Sequence, residues 1–254
     1  MADHALEWRA EEVCLNAWPP LREVLLGGWL LRVSEGLTRR ANSANALGAL
    51  PDIYPDDCEA FYRRLGQPTI FRVLTLLDPS IDEQLERRGY TAEGESCVLY
   101  GVLDAVEAAA DPAVQLLMNP SVEWFAAMAT LQGYTCEQAR TYRKIVGRLA
   151  IPAAFASLSV EGEIVAAAFG AIHRGLFCYE SVVTDGRRRR QGYGRRIVRA
   201  LAAWAKENGA SAACLEVEAG NLPARALYDA MGLKRELYRY HYRREPRDRL
   251  VIKL

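Results

Sequence analysis

The stretch RRRRQGYGRR, residues 187–196, sets six arginines around a Gly-Tyr-Gly triplet. Three uses compete for charge of this density: a nucleic-acid patch, a solvated helix face, or a seat for one polyphosphate. The flanking sequence narrows the choice. Upstream, LFCYESVVT (176–184) is rich in β-branched and aromatic residues and predicts a buried strand. Downstream, RRIVRALAAWAKENG (195–209) carries Ile197, Val198, Leu201, Trp204 and Ala205 at helical spacing and stops at Asn208-Gly209. The arginines therefore border a strand-to-helix turn. Gly192 and Gly194 put no side chain between backbone and ligand, and the first-turn amides point outward at the positive end of the helix dipole. That geometry suits a phosphate or pyrophosphate, with arginines as charge-assisted donors. It is neither a Walker loop, since no Gly-Lys-Ser/Thr follows, nor a GxGxxG turn.

The whole chain disfavours the nucleic-acid use. Its 254 residues hold 32 Lys and Arg against 32 Asp and Glu, so there is no net field to gather DNA, RNA or an anionic membrane. The stretch also lacks interleaved aromatics beyond Tyr193. Half the residues are apolar, enough for one large domain or two smaller ones. Six scattered cysteines, Cys14, Cys58, Cys97, Cys136, Cys178 and Cys214, show no CxxC or Cys/His metal spacing. They read as reduced thiols in a core, with no metal expected. MADHALEWRAEE has no apolar signal-peptide core, and no apolar run approaches 18 residues. A soluble, cytoplasmic protein without a membrane partner is expected.

Arg189-Arg190-Gln191-Gly192-Tyr193-Gly194 has the form Arg/Gln-x-x-Gly-x-Gly/Ala. A strand, AACLEVEAGN (212–221), and then LPARALYDAMGL (222–233) follow the helix, the latter completing an "N..A..LY...G" pattern with Asn221, Ala224, Leu227, Tyr228 and Gly232. In this order and separation the two motifs resemble the GNAT superfamily of acyl-coenzyme A-dependent N-acyltransferases over about residues 113–245. The resemblance implies acetyl-CoA as cosubstrate, with Arg189, Arg190, Gln191, Gly192, Tyr193, Gly194 and Arg195 around its pyrophosphate. It implies that the backbone of Val182, Val183 and Thr184 pairs with the pantetheine arm and polarises the thioester carbonyl. Asn221 would bind the pantetheine or cap the next helix, and Tyr228 would contact the cofactor and act as general acid on the departing thiolate.

The base is less defined. Glu180 lies at even spacing from Thr184, nominally on the same strand face, and is the first candidate. Glu216 and Glu218 on the neighbouring strand are alternatives through a water, while His173 reads as a surface or core histidine before a base and His241 as structural or substrate-facing. In the acceptor region, Trp124, Phe125 and Met128 read as core before ligand contacts.

LDAVEAAADPA (103–113) reads as a linker between a first domain, 1–102, and a catalytic domain, 114–254. Shifting the first half forward by about 143 positions superposes Gly66 on Gly209, Thr69–Leu76 on the 212–219 strand, and Gly89 on Gly232. The chemistry does not repeat. Arg189, Gly192 and Gly194 meet Ala46, Ala49 and Pro51, Asn221 meets Asp78, and Tyr228 meets Leu85. The first half thus reads as a degenerate GNAT-like copy, whose polar LTRRANSANALG (37–48) either lines an acceptor pocket or forms an edge strand and turn.

The expected fold is α/β with mixed sheets, a tandem GNAT. The expected activity is transfer of an acetyl or short acyl group to a primary amine of a small molecule or peptide, in a ternary complex. The alternative is a non-catalytic coenzyme A-binding or sensor protein. Both monomer and homodimer are compatible with the sequence.

Overall fold

The computed structural model describes residues 2–49 and 55–246. Its elements run α1 (Ala2–Ala17), β1 (Arg22–Leu26), β2 (Trp29–Val33), β3 (Ala44–Ala46), α2 (Pro55–Arg64), β4 (Ile70–Leu74), α3 (Pro79–Arg87), β5 (Thr91–Val102) and β6 (Val114–Leu117). There follow α4 (Val122–Gln132), α5 (Cys136–Val146), β7 (Ala153–Val160), β8 (Glu163–His173), β9 (Leu176–Thr184), α6 (Tyr193–Glu207), β10 (Ala212–Glu218), α7 (Leu222–Ala230) and β11 (Arg235–Arg244). The chain is mixed α/β, and β9 has the bounds read from its β-branched and aromatic run.

The described residues form two compact units that interleave along the chain instead of following the segments 1–102 and 114–254. One holds residues 2–19, 98–217 and 221–237; the other holds 20–49, 55–97, 218–220 and 238–246. The reason lies in three elements. α1 lays Ala10, Val13, Cys14 and Ala17, all fully buried, against β8 and β9. The last residues of β5 join the first unit's sheet beside β10. The end of β11 pairs antiparallel with β4 in the second unit, Tyr240 opposite Leu74 through Arg244 opposite Ile70. Residues 103–113 are no free tether. Leu103 and Val106 are buried, and the amides of Leu103, Glu107 and Ala109 donate to the carbonyls of Ser211, Met231 and Arg199.

In the first unit the strand order is β6-β7-β8-β9-β10-β5. Neighbours from β6 to β9 are antiparallel, and β9 with β10 is parallel. Period-two alternation sorts β9 onto two layers. Phe177 and Tyr179 face α6: the Phe177 ring packs edge-on to Trp204 and the Tyr179 hydroxyl donates to the Val198 carbonyl. Cys178 and Glu180 face the other way, toward α1. On that side Trp18, Trp124, Tyr142, Phe155 and Phe169 form one ring cluster.

The second unit has order β1-β2-β3-β4-β11. A shift of 143 positions carries α7 onto α3 residue for residue, Leu222–Ala230 onto Pro79–Arg87, and both helices start with a side-chain cap followed by proline in the first turn. Gly66, Gly89, Gly209 and Gly232 all take positive φ, between 65° and 100°. The repeat thus spans helix, strand, helix and turn. Upstream of α2 it fails: β3 has no counterpart to the length of β9, and Pro51 lies outside the described residues.

Candidate active site

The loop takes the shape its sequence implies. Gly192 is the N-cap of α6 with φ 80°, a left-handed conformation that glycine enters without penalty, and no side chain caps the helix. A Cβ on Gly192 would meet nothing within 4 Å. Arg190 also takes positive φ, 62°, so the loop turns through two left-handed residues before the helix. The first-turn amides of α6 open outward, the arrangement that binds anions.

The six arginines then separate by partner. Arg187 pairs with Asp185 at 2.9 Å, and Arg188 with Glu161 at 3.4 Å. Arg195 pairs with Glu107 at 2.6 Å and Arg196 with Asp111 at 2.6 Å, both acids coming from 103–113. Arg189 and Arg190 are exposed and have no hydrogen bond or ion pair among the described residues. Two free guanidiniums therefore flank the loop, the pair that a pyrophosphate needs. Arg195, expected beside the cofactor, is engaged by Glu107. Tyr193 opens α6 and its hydroxyl donates to Gln191 Oε1 at 2.9 Å, which ties those two residues to each other. Hydrogen bonds from Arg196 hold the Asp111 carboxyl down at about 2, and those from Arg187 do the same for Asp185.

The strand before the loop carries a bulge. Phe169 lies opposite Glu180 while Ala167 lies opposite Val183, so three steps on β9 match two on β8. Ser181 takes φ 53° there. The even spacing that put Glu180 and Thr184 on one face is thereby broken: Glu180 shares its face with Val183 instead. The parallel register of β9 with β10 runs from Leu176 and Ala212 to Tyr179 and Leu215. Beyond it β9 continues through Val182, Val183 and Thr184, half-buried, with backbone toward the β10 side outside that register. An extended ligand arm can pair there as an added strand.

Glu180 and Tyr228 come together behind this opening. Glu180 is 8% exposed and Tyr228 7%. Burial, and then the charge of Glu180, push the Tyr228 phenol well above its usual value, so it is a protonated donor at neutral pH. Its hydroxyl has no hydrogen-bond partner among the described residues. α7 is held at both ends: Asn221 caps it by accepting from the Ala224 amide at 3.2 Å, and after Gly232 the Leu233 amide returns to the Tyr228 carbonyl at 2.9 Å. Asn221 is thus a helix cap here.

The other candidates take structural partners. His173 bonds Glu12 at 2.8 Å at the far end of β9, and His241 bonds Asp82 at 2.9 Å in the second unit. Glu218 pairs with Arg39 at 3.8 Å. Glu216 is half-buried on β10. Trp124 and Met128 are core, the Trp124 indole donating to the Ala156 carbonyl. In 37–48, Asn42 accepts from the amides of Ser34 and Gly36 and donates to the Thr38 carbonyl, the work of a turn. A cleft of 540 Å³ borders Asp185, Gly186 and Arg187, but its lining includes neither Glu180 nor Tyr228. Sequence reasoning missed the bulge at Ser181 and the neutralising acids Glu107 and Asp111. Only the acidic composition of 103–113 hinted at the latter.

A family described as Probable histone acetyltransferase Rv0428c C-terminal matches residues 7–243. The chain belongs to that family. Uncharacterized N-acetyltransferase YobR of Bacillus subtilis (strain 168) is similar, 25% identical over 240 residues that span 92% of this chain and 97% of YobR. Among solved structures, a GCN5-related N-acetyltransferase from Kribbella flavida superposes with a TM-score of 0.70 at 18% identity, covering 96% of this chain and 95% of its own. A tandem GNAT protein from the clavulanic acid biosynthesis pathway gives 0.59 at 12% identity, covering 80% and 74%. The fold is that of the GNAT acetyltransferases, tandem members included, and the protein is an acetyltransferase of this type.

No helix among the described residues is long and apolar enough to cross a membrane.

Proposed function

We propose that this acetyltransferase moves an acetyl group from acetyl-CoA to the primary amine of a small molecule or peptide, at a site built within 114–254, with the first half non-catalytic. The carrying observation is the sorting of arginines: four of the six are neutralised by nearby acids, and Arg189 and Arg190 are left free beside the left-handed Gly192. A solvated basic face would have no reason for that selection.

Residues then divide the work. Arg189, Arg190 and the amides after Gly192 hold the pyrophosphate. The β10-side backbone edge of Val182–Thr184 holds the pantetheine and aims an N–H at the thioester oxygen, where charge develops during attack. Acetyl-CoA supplies the activated acyl group. Glu180 takes the proton from the incoming ammonium, directly or through water, and Tyr228 hydrogen-bonds the departing thiolate and returns a proton to it. Burial keeps this phenol protonated at neutral pH, so it is available as a hydrogen-bond donor to the thiolate.

A small amine and a lysine side chain both fit this chemistry, and the family description, which speaks of a histone acetyltransferase, adds a basic peptide to the panel. The test is release of free coenzyme A thiol from acetyl-CoA across small amines and lysine peptides. Acceptor-dependent release supports the reading. Tight acetyl-CoA binding with no release on any acceptor favours a sensor.

A further inference from the structure

Cysteines scattered in sequence meet in space. Cys14 on α1, Cys178 on β9 and Cys214 on β10 are each fully buried. Cys178 and Cys214 are direct partners across the parallel β9/β10 pair, so their side chains leave the sheet on one face. α1 covers that face and drops Cys14 between them. The three Sγ atoms lie within 4.8 Å of one another, with Cys14 Sγ 3.7 Å from Cys178 Sγ. Glu180 Oε1 lies 3.8 Å from Cys178 Sγ, outside the mutual grouping of the three thiols.

These spacings have a simple interpretation. A tetrahedral Zn²⁺ with Zn–S bonds of about 2.3 Å sets its sulfurs roughly 3.8 Å apart. We propose that Cys14, Cys178 and Cys214 bind one thiophilic divalent cation of the Zn²⁺ type through three thiolates. Binding releases three thiol protons. Because the cluster is closed to solvent, the ion enters as the chain folds.

The test is production of the full chain in Co²⁺-supplemented medium under reducing conditions, since Co²⁺ reports thiolate ligands through charge-transfer absorption. The expected result is one equivalent of Co²⁺ with thiolate charge-transfer bands, displaced by Zn²⁺. Cys14→Ala and Cys214→Ser, each checked for native circular dichroism, should retain less than about a tenth of that ion. Cys136→Ala, at the exposed cysteine, should retain all of it. Folded wild-type protein without thiolate–Co²⁺ absorption, or bands that survive in a folded Cys14→Ala or Cys214→Ser, would overturn the proposal. Neither readout needs turnover, so failure here leaves the transferase reading intact.

Discussion

Gly232→Ala tests whether the close approach of residues 105–106 to the α7 turn requires glycine. Gly232 has φ 100°, and a Cβ there would be driven into the Ala105 carbonyl and stand 3.1 Å from Val106 Cα, both backbone. Neither neighbour can rotate away, because residues 103–109 are tied by amide bonds to Ser211, Met231 and Arg199. Left-handed strain costs about 1–2 kcal/mol and overpacking about 1–3 kcal/mol, so a loss near 3 kcal/mol is expected. For a chain of this size that is a fall in Tm of about 6–12 °C. Gly133→Ala is the control: φ is 67°, but a Cβ would meet nothing within 4 Å, so strain acts alone at about 1 kcal/mol. Thermal and urea unfolding of both variants separates the terms. If Gly232→Ala is no less stable than Gly133→Ala, the close approach of 103–109 to the α7 turn is not what glycine is there for.

Tyr228→Phe should leave acetyl-CoA affinity unchanged and lower kcat by about 10²–10⁴-fold; a normal rate would move the acid elsewhere. Arg189→Ala or Arg190→Ala should each weaken acetyl-CoA about 10-fold or more in calorimetric titration, a charged hydrogen bond being worth about 1.5–3 kcal/mol. Arg195→Ala, whose partner is Glu107, should change it less than about 3-fold, and the opposite order would defeat the sorting of arginines by partner. The Arg196 hydrogen bonds lower the Asp111 carboxyl from 3.8 to about 2, so their stabilisation is complete above 3.8 and disappears as pH falls toward 2. Asp111→Asn should therefore narrow its stability deficit over that window in acid titrations, and a deficit that stays constant to pH 2 would contradict the assignment.

Much of this fold is legible because its punctuation is chemical. Asn221, Pro223 and Gly232 bound α7, Gly209 ends α6, and the run 176–184 can only be a strand, so those elements stand where spacing puts them. The second half of the internal repeat is legible for the same reason: caps and turn glycines survive when catalytic residues do not. The loop glycines follow from motif order. What the sequence hides depends on register and long-range contact. A one-residue bulge at Ser181 changes which β9 residues share a face, and no local pattern announces it. The pairing of β11 with β4, and the meeting of Cys14 with Cys178 and Cys214, join residues at least 164 positions apart. The neutralisation of Arg195 and Arg196 by an acidic segment more than 80 residues upstream is of the same kind.

The central claim is that the turn at Gly192 holds the pyrophosphate of acetyl-CoA. Its most direct test is isothermal titration of acetyl-CoA into the wild type and Gly192→Asp. Aspartate tolerates left-handed φ better than most side chains, and the space at Gly192 is open, so the variant should fold. Its carboxylate would stand where the phosphates must sit. One-site binding of micromolar order by the wild type, lost in folded Gly192→Asp, is the predicted result. Absence of binding by the wild type, or equal affinity in the variant, would contradict it.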